Sequence, residues 1–376
     1  MTRDPLTSWE AEVGSVRVVS GPGRLTELPA LVAELGVAKL LLVTDPGLEA
    51  AGHADRALAA LAGTVETVVF DGVEENPTSH EVERGTRMAH EAGIEAIVAL
   101  GGGSAMDCAK GINFLYTNGG KMEDYWGIGR AKRPMLPSLA VPSTAGTGSE
   151  AQSYALITHP ENGRKMACGD PKARFRAVIL DPEVASTAPR RVAAATGMDA
   201  VSHAVETAVS RRSNPVSRML SRTAWRLISN RFQPALTDPS DLGAIAAMQL
   251  GAHLAGAAIE ASMLGAAHAA ANPLTARHHI VHGEAVGLML PHVVRFNGAG
   301  PAPAYDDLEP AGSDRLANRV EEFRRAAGLA EQLRDRGVGQ DSIPELAEMA
   351  TLEWTGEFNP RPVTAADFEK LYEAAY

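Results

Sequence analysis

Residues 96–110 read AIVALGGGSAMDCAK: an apolar run, three glycines and a serine, then a stretch with helical spacing. Apolar residues without polar alternation are the pattern of a strand buried on both faces. The glycines permit a tight turn and close backbone approach, and a helix opening near Ser104 would present unpaired N–H groups to an anion. The spacing is neither a Walker loop nor a GxGxxG fingerprint, so a phosphate-binding turn and a plain strand-to-helix turn both fit it.

The same alternation extends outward from this stretch. Val16–Val19 reads as a strand, Leu25–Leu35 as a helix stopped by Gly36, and Lys39–Thr44 (KLLLVT) as a second buried strand. Strand Glu66–Phe70, helix Ser79–Ala92, strand Ala96–Leu100, helix Ser104–Leu115 and strand Leu136–Val141 follow. Alternation of this kind predicts an α/β domain with a mostly parallel sheet and helices on both faces. After Asp181-Pro182 the strand-like runs stop and long Ala-rich helical stretches take over. The domain boundary is expected near Ser186–Pro189, with Thr187 capping a helix whose first turn holds Pro189. Asn297–Asp314, rich in Gly, Ala and Pro, is expected to be a loop.

Composition narrows the function classes. The chain has 376 residues, 35 basic and 46 acidic, for a net charge of −11. That length suits two domains, and the 45% hydrophobic and 22% charged shares exclude a largely disordered chain. An acidic surface disfavours nucleic acid. Two cysteines, Cys108 and Cys168, build no disulfide framework and fit a reducing compartment. The N-terminus, MTRDPLTSWEAEVG, lacks the apolar core of a signal peptide. Gly243–Ile259 carries no charge, but it is short for a bilayer span and is expected to be a buried helix, so no membrane partner is expected.

Three further groups of residues carry chemistry. A second polar loop, PSTAGTGSE (142–150), leaves the C-terminal end of a strand, where open parallel sheets bind ligands. Asp45 follows KLLLVT, where a carboxylate can accept from ribose hydroxyls, although Asp before Pro46-Gly47 also reads as a turn residue. Seven of the eleven histidines lie between His203 and His292. Asp199 and His203 are four apart on one helix face; with His268 and His282 they make a complete donor set for a divalent transition metal with room for substrate. Hydrogen-bonded core histidines are the alternative.

Four blocks, GGGSAMDCAK (101–110), PSTAGTGSE (142–150), TGMDAVSHAVE (196–206) and the region 265–297 containing HGEAVGLMLPHVVRFN, together with the opening SGPGRLTELPALVAELGVAKLLLVTD, resemble the iron-containing alcohol dehydrogenases over nearly the whole chain. The resemblance implies a Rossmann-like dinucleotide-binding domain over 1–187 and an all-α metal-binding, catalytic domain over 188–376. This is a dehydroquinate synthase-like architecture with its active site in the cleft between. It implies metal ligation by Asp199, His203, His268 and His282, with iron or zinc as the ion. Gly102, Gly103 and Ser104 fall on the pyrophosphate turn, with Asp107 beside it, and Thr144, Thr147 and Ser149 on the second cofactor loop. Lys165 matches a lysine that approaches the cofactor ribose, and Asp45 an acidic position that favours NAD over NADP.

The expected activity is an NAD-dependent alcohol dehydrogenase or aldehyde reductase, exchanging a hydride between nicotinamide and an alcohol or aldehyde. A small-molecule substrate, a homodimer and a cytoplasmic location are expected with it. The alternatives are a polyol or hydroxy-acid dehydrogenase on the same scaffold, and a nucleotide-binding protein without turnover. Two positions depart from the family pattern. Asn272 stands where a second histidine usually follows the third ligand by four residues. It is expected to position substrate, with proton release through water, the cofactor ribose or His279, unless it merely ends the helix beside Pro273. Phe175 replaces a common proline and is expected to alter only local backbone shape.

Overall fold

The computed structural model describes residues 8–300 and 305–376, and these fall into two compact units. One unit runs to Thr144 and resumes over Gly148–Ala188; the other takes Ala145–Thr147 and Pro189–Tyr376. Expectations for residues 1–7 and for the 301–304 part of the Gly/Ala/Pro loop lie outside the described residues.

Among the described residues the first unit is built on ten strands: β1 (Trp9–Val13), β2 (Val16–Ser20), β3 (Lys39–Val43), β4 (Glu66–Phe70), β5 (Ala96–Gly101), β6 (Gly127–Ile128), β7 (Ser138–Pro142), β8 (Tyr154–Thr158), β9 (Lys165–Gly169) and β10 (Ala177–Leu180). Its helices are α1 (Leu28–Leu35), α2 (Pro46–Ala50), α3 (His53–Leu61), α4 (Ser79–Ala92), α5 (Gly103–Asn118) and α6 (Pro182–Ala185). Seven strands form one sheet in the order β1-β2-β10-β7-β5-β3-β4, parallel throughout except for β1 on β2. Leu40, Leu42, Val98, Leu100, Val141 and Ile179 from its central strands pack with Leu28 and Val32 of α1 in a buried core. This burial on the sheet is what the unbroken apolar runs of β3 and β5 anticipate.

Chain order reverses around β3: the chain passes to β4 on one side, then crosses to β5 on the other. Ligands of open α/β sheets bind outside the carboxyl ends of strands at such a switch point. The ends of β3, β5 and β7, where Asp45, Gly102 and Thr144 follow, therefore lie side by side. A second sheet, β6-β9-β8, was not anticipated. Its strands are short: β6 has two residues, and β9 (KMACG) mixes Ala167, Cys168 and Gly169, a composition with little strand signal.

The second unit is all helical among the described residues: α7 (Arg190–Val209), α8 (Pro215–Thr237), α9 (Leu242–Ser262), α10 (Ala266–His278), α11 (His282–Gly298), α12 (Ser313–Ala327), α13 (Ile343–Thr351) and α14 (Ala365–Ala375). Helix α9 is long and apolar enough to cross a membrane, but most of it is buried within the protein, as a core helix. Pro189, not Thr187, is the N-cap of α7. The Thr187 hydroxyl instead donates to the Val184 carbonyl at 2.9 Å, closing the turn after α6. Helix α11 extends to Gly298 and α12 begins at Ser313, so the loop between them is shorter than Asn297–Asp314.

Candidate metal centre and cofactor loops

Helix α7 carries Asp199, His203 and Glu206 at spacings of four and three, which puts all three on one face. His268 lies in the first turn of α10, and His282 opens α11. The three imidazoles converge on one carboxylate oxygen. Asp199 Oδ1 is 3.2 Å from His203 Nε2, 3.5 Å from His268 Nε2 and 3.8 Å from His282 Nε2. One donor atom from each of Asp199, His268 and His282 lies within 4.8 Å of the others. The rings of His203 and His268 stack with centroids 5.0 Å apart.

Glycine lets α11 reach this place. A Cβ on Gly283 would lie 1.9 Å from the Ala195 carbonyl oxygen and 3.3 Å from Asp199 Cβ, so only glycine allows α11 to start against α7. Glu206, which the sequence reading did not single out, fixes α10. Its Oε1 accepts from the Ala267 backbone N–H at 2.7 Å, and its Oε2 lies 2.5 Å from His268 Nδ1. A carboxylate on one ring nitrogen sets the tautomer and leaves the other nitrogen to ligate a metal. The available signal was its place seven residues after Asp199 on the same face.

Burial resists charge on Asp199, but the imidazoles of His203, His268 and His282 outweigh it and hold this carboxyl well below the usual carboxylate range. Burial also resists a proton on His268, yet Glu206 and Asp199 raise its pKa to about 9. Asp199 Oδ1 and His268 Nε2 are buried without a hydrogen-bond partner of acceptable geometry. Buried polar atoms are rarely left so unless an ion or a water satisfies them. With the His268 Nε2 proton displaced, one carboxylate and three imidazoles would fit a divalent cation in charge and donor type.

The first unit gathers much of the predicted cofactor set. Gly102 is the N-cap of α5 and no side chain caps that helix, which leaves its N-terminal N–H groups for an anion. A Cβ on Gly101 would meet Asp45 Oδ2 at 3.0 Å, and one on Gly102 would meet Thr144 Cγ2 at 3.5 Å, so Asp45, the Gly102-Gly103 turn and Thr144 are neighbours. Asp45 also has the turn role: its Oδ1 accepts from Gly47 N at 2.9 Å and Leu48 N at 3.1 Å, capping α2. Burial raises its pKa, against those two hydrogen bonds. Ser104 Oγ accepts from Asn76 N at 3.2 Å.

Other members of the set are differently placed. Ser149 Oγ donates to Asp107 Oδ1 at 2.5 Å, while Lys110 Nζ donates to Ser149 Oγ at 2.8 Å and to the Tyr154 carbonyl at 2.7 Å. Asp107 and Ser149 thus share a buried network. Burial raises the Asp107 pKa, with Lys110, Ser149 and Lys165 acting the other way, so Lys165 at the start of β9 is in electrostatic range. Phe175 does more than shape the backbone: its buried ring lies 5.3 Å from Lys110 Nζ, a cation–π contact that helps hold that buried ammonium. Thr147 falls with the helical unit, where Gly146 packs against Thr196.

Asn272 does not end its helix, because α10 continues through Pro273 to His278. Its Nδ2 donates to Glu353 Oε2 at 2.7 Å. His279 is exposed in the left-handed position that terminates α10, with φ 53°. Arg277 is exposed and paired with Glu345 on the surface.

Comparison with known proteins fixes the relationship. Residues 15–182 match the family model of iron-containing alcohol dehydrogenase, and 193–376 that of the Fe-containing alcohol dehydrogenase family, C-terminal. The chain belongs to the iron-containing alcohol dehydrogenase family. Among its relatives in that family, 1,3-propanediol dehydrogenase of Klebsiella pneumoniae is 34% identical over 95% of this chain and 96% of its own. A solved 1,3-propanediol oxidoreductase superposes with a TM-score of 0.91 at 31% identity, covering 99% of this chain and 100% of that one. Sulfoacetaldehyde reductase from Bifidobacterium kashiwanohense, solved in complex with NAD+, gives 0.89 at 27% identity over 98% and 99% of the two chains. These iron-containing alcohol dehydrogenase relatives are oxidoreductases acting on CH–OH groups or the corresponding aldehydes, as their names state.

Proposed function

We propose that this protein is an NAD(H)-dependent, divalent-metal-dependent alcohol dehydrogenase or aldehyde reductase. The observation that carries the reading is the convergence of His203, His268 and His282 on the buried Asp199 Oδ1, with Glu206 holding the far side of His268. A divalent cation held by these four residues would supply Lewis acidity toward a substrate oxygen, and NAD a hydride acceptor.

The chain's own groups do the rest. Glu206 keeps the proton of His268 on Nδ1, so that Nε2 offers a lone pair. The open N-terminus of α5 offers N–H donors to a pyrophosphate, with Gly102 and Gly103 allowing close approach, Ser104 beside them and Thr144 adjacent. Asp45 accepts from ribose hydroxyls through the oxygen not used to cap α2, and repels a 2′-phosphate. Thr147 and Lys165 are the remaining candidates for cofactor contact, while Asp107 and Ser149 brace the loop. Asn272 orients substrate, and a proton leaves through water, the ribose or the exposed His279, since an amide does not titrate near neutrality.

A panel of alcohols and aldehydes with NAD(H) and NADP(H), run on protein of measured metal content, tests the reading. Turnover proportional to bound metal, with about one ion per chain and preference for NAD(H), is expected. Active protein without metal would refute the metal assignment, and equal use of NADP(H) the cofactor assignment.

A further inference from the structure

Asn272 follows His268 by one turn of α10, about 5.4 Å along the helix and on the same face. It is half-buried, and among the described residues its side chain hydrogen-bonds Glu353, which directly precedes the 3-10 turn Trp354–Phe358. An ionised carboxylate only accepts hydrogen bonds. Glu353 therefore decides which end of the amide it meets: the NH2 group faces Glu353, and the carbonyl Oδ1 remains, with no donor from the described residues. An imidazole at this place could present a donor or an acceptor by changing tautomer. The Asn272–Glu353 pair presents an acceptor in a fixed orientation.

We propose that this pair selects alcohols carrying a second hydrogen-bond donor a few atoms from the reacting carbon, with Asn272 Oδ1 accepting from that hydroxyl or ammonium. Glu353 is the positioning residue. The inference rests on the proposed alcohol dehydrogenase function and adds a substrate class to it. A site built to bond a polar substrate group discriminates against the analogue that lacks it, because its own polar atom is otherwise left unpaired.

The test compares kcat/KM for 1,3-propanediol and 3-amino-1-propanol with that for 1-propanol, in the wild type and in Glu353→Gln, Glu353→Asp and Asn272→Ala. The wild type is expected to favour both donor-bearing alcohols, and their relative responses distinguish hydroxyl from ammonium. In Glu353→Gln the side chain can donate as well as accept, so the amide loses its bias; the preference should fall about fivefold, chiefly through KM. Glu353→Asp should restore part of it, and Asn272→Ala should abolish it. A wild type with no preference, or a preference that survives Glu353→Gln and Asn272→Ala, overturns the inference. So does a lowered melting temperature with the preference intact, which would make the pair a tether between α10 and the following turn. A wild type that oxidises none of the three alcohols overturns the proposed function as well, whereas turnover without selectivity overturns this inference alone.

Discussion

The two oxygens of Glu206 hold a backbone N–H and an imidazole N–H at once, so replacing it leaves one of two buried donors facing another donor. Glu206→Gln is expected to lower metal affinity about 10- to 100-fold, the usual loss when the partner of a ligating histidine is removed. Competition with a chelator measures this, and unchanged affinity would refute the role. Away from this site, burial, with Arg295 and Arg324 nearby, pushes the His292 pKa down to about 4. In the unfolded chain the ring titrates near 6.5, so between those values the unfolded state binds more protons. Stability is therefore expected to fall as pH drops from about 6.5 to about 4. Melting temperatures of His292→Gln should decline less over that window; parallel curves would contradict the assignment. At this scale the sequence is legible where spacing places residues on one helix, as with Asp199 and His203. It is mute where contacts span distance: Glu353 lies 81 positions from Asn272 and comes beside it only through folding.

Between elements, the decisive contact is α11 against α7. With a Cβ at position 283 only 1.9 Å from the Ala195 carbonyl, Gly283→Ala forces one helix off the other. It is expected to cost about 3 kcal/mol, the upper range for overpacking, because backbone and not a flexible side chain must yield. Chemical denaturation reads that loss, and metal titration should show weaker binding because His282 moves with α11. Wild-type behaviour in both would mean the helices adjust freely. Elements with strong periodicity are legible to the residue: Glu66–Phe70 and Ser79–Ala92 match the sequence reading at both ends. In α4, Thr78 and Glu81 form a reciprocal capping box, a strong local start signal. The short second sheet was not legible, because β8 and β9 pair across a turn and neither has sustained alternation. Nor was the passage of α10 through Pro273, which tertiary packing carries past a residue that ordinarily interrupts a helix.

For the whole molecule, the residues proposed to choose the cofactor and those proposed to bind the metal fall in different units of the chain. If Asp45 faces the cofactor ribose as proposed, Asp45→Gly is expected to shift the ratio of NAD(H) to NADP(H) efficiency by about tenfold or more, since it would remove a like-charge repulsion with a 2′-phosphate. Stability should change by only a few tenths of a kcal/mol, because glycine is itself a tolerated N-cap for α2. Steady-state kinetics with both cofactors checks the first, and thermal melting the second. An unchanged ratio would leave Asp45 with its capping role alone. The switch point that juxtaposes Asp45, Gly102 and Thr144 was foreseeable only in outline: alternation predicts a parallel sheet, but strand order is a property of the assembled chain.

The bracing of the donor quartet by Glu206 and Gly283 also bears on how an ion comes and goes. Backbone contacts and a buried carboxylate hold His268 and His282 in register without help from a cation, so loading requires the ion to shed water and not the helices to refold. On the proposed metal-dependent reading, the identity of the ion would then follow exchange with the surrounding pool, not a single loading event during folding. The same folded chain would then exchange its ion when the supply changes.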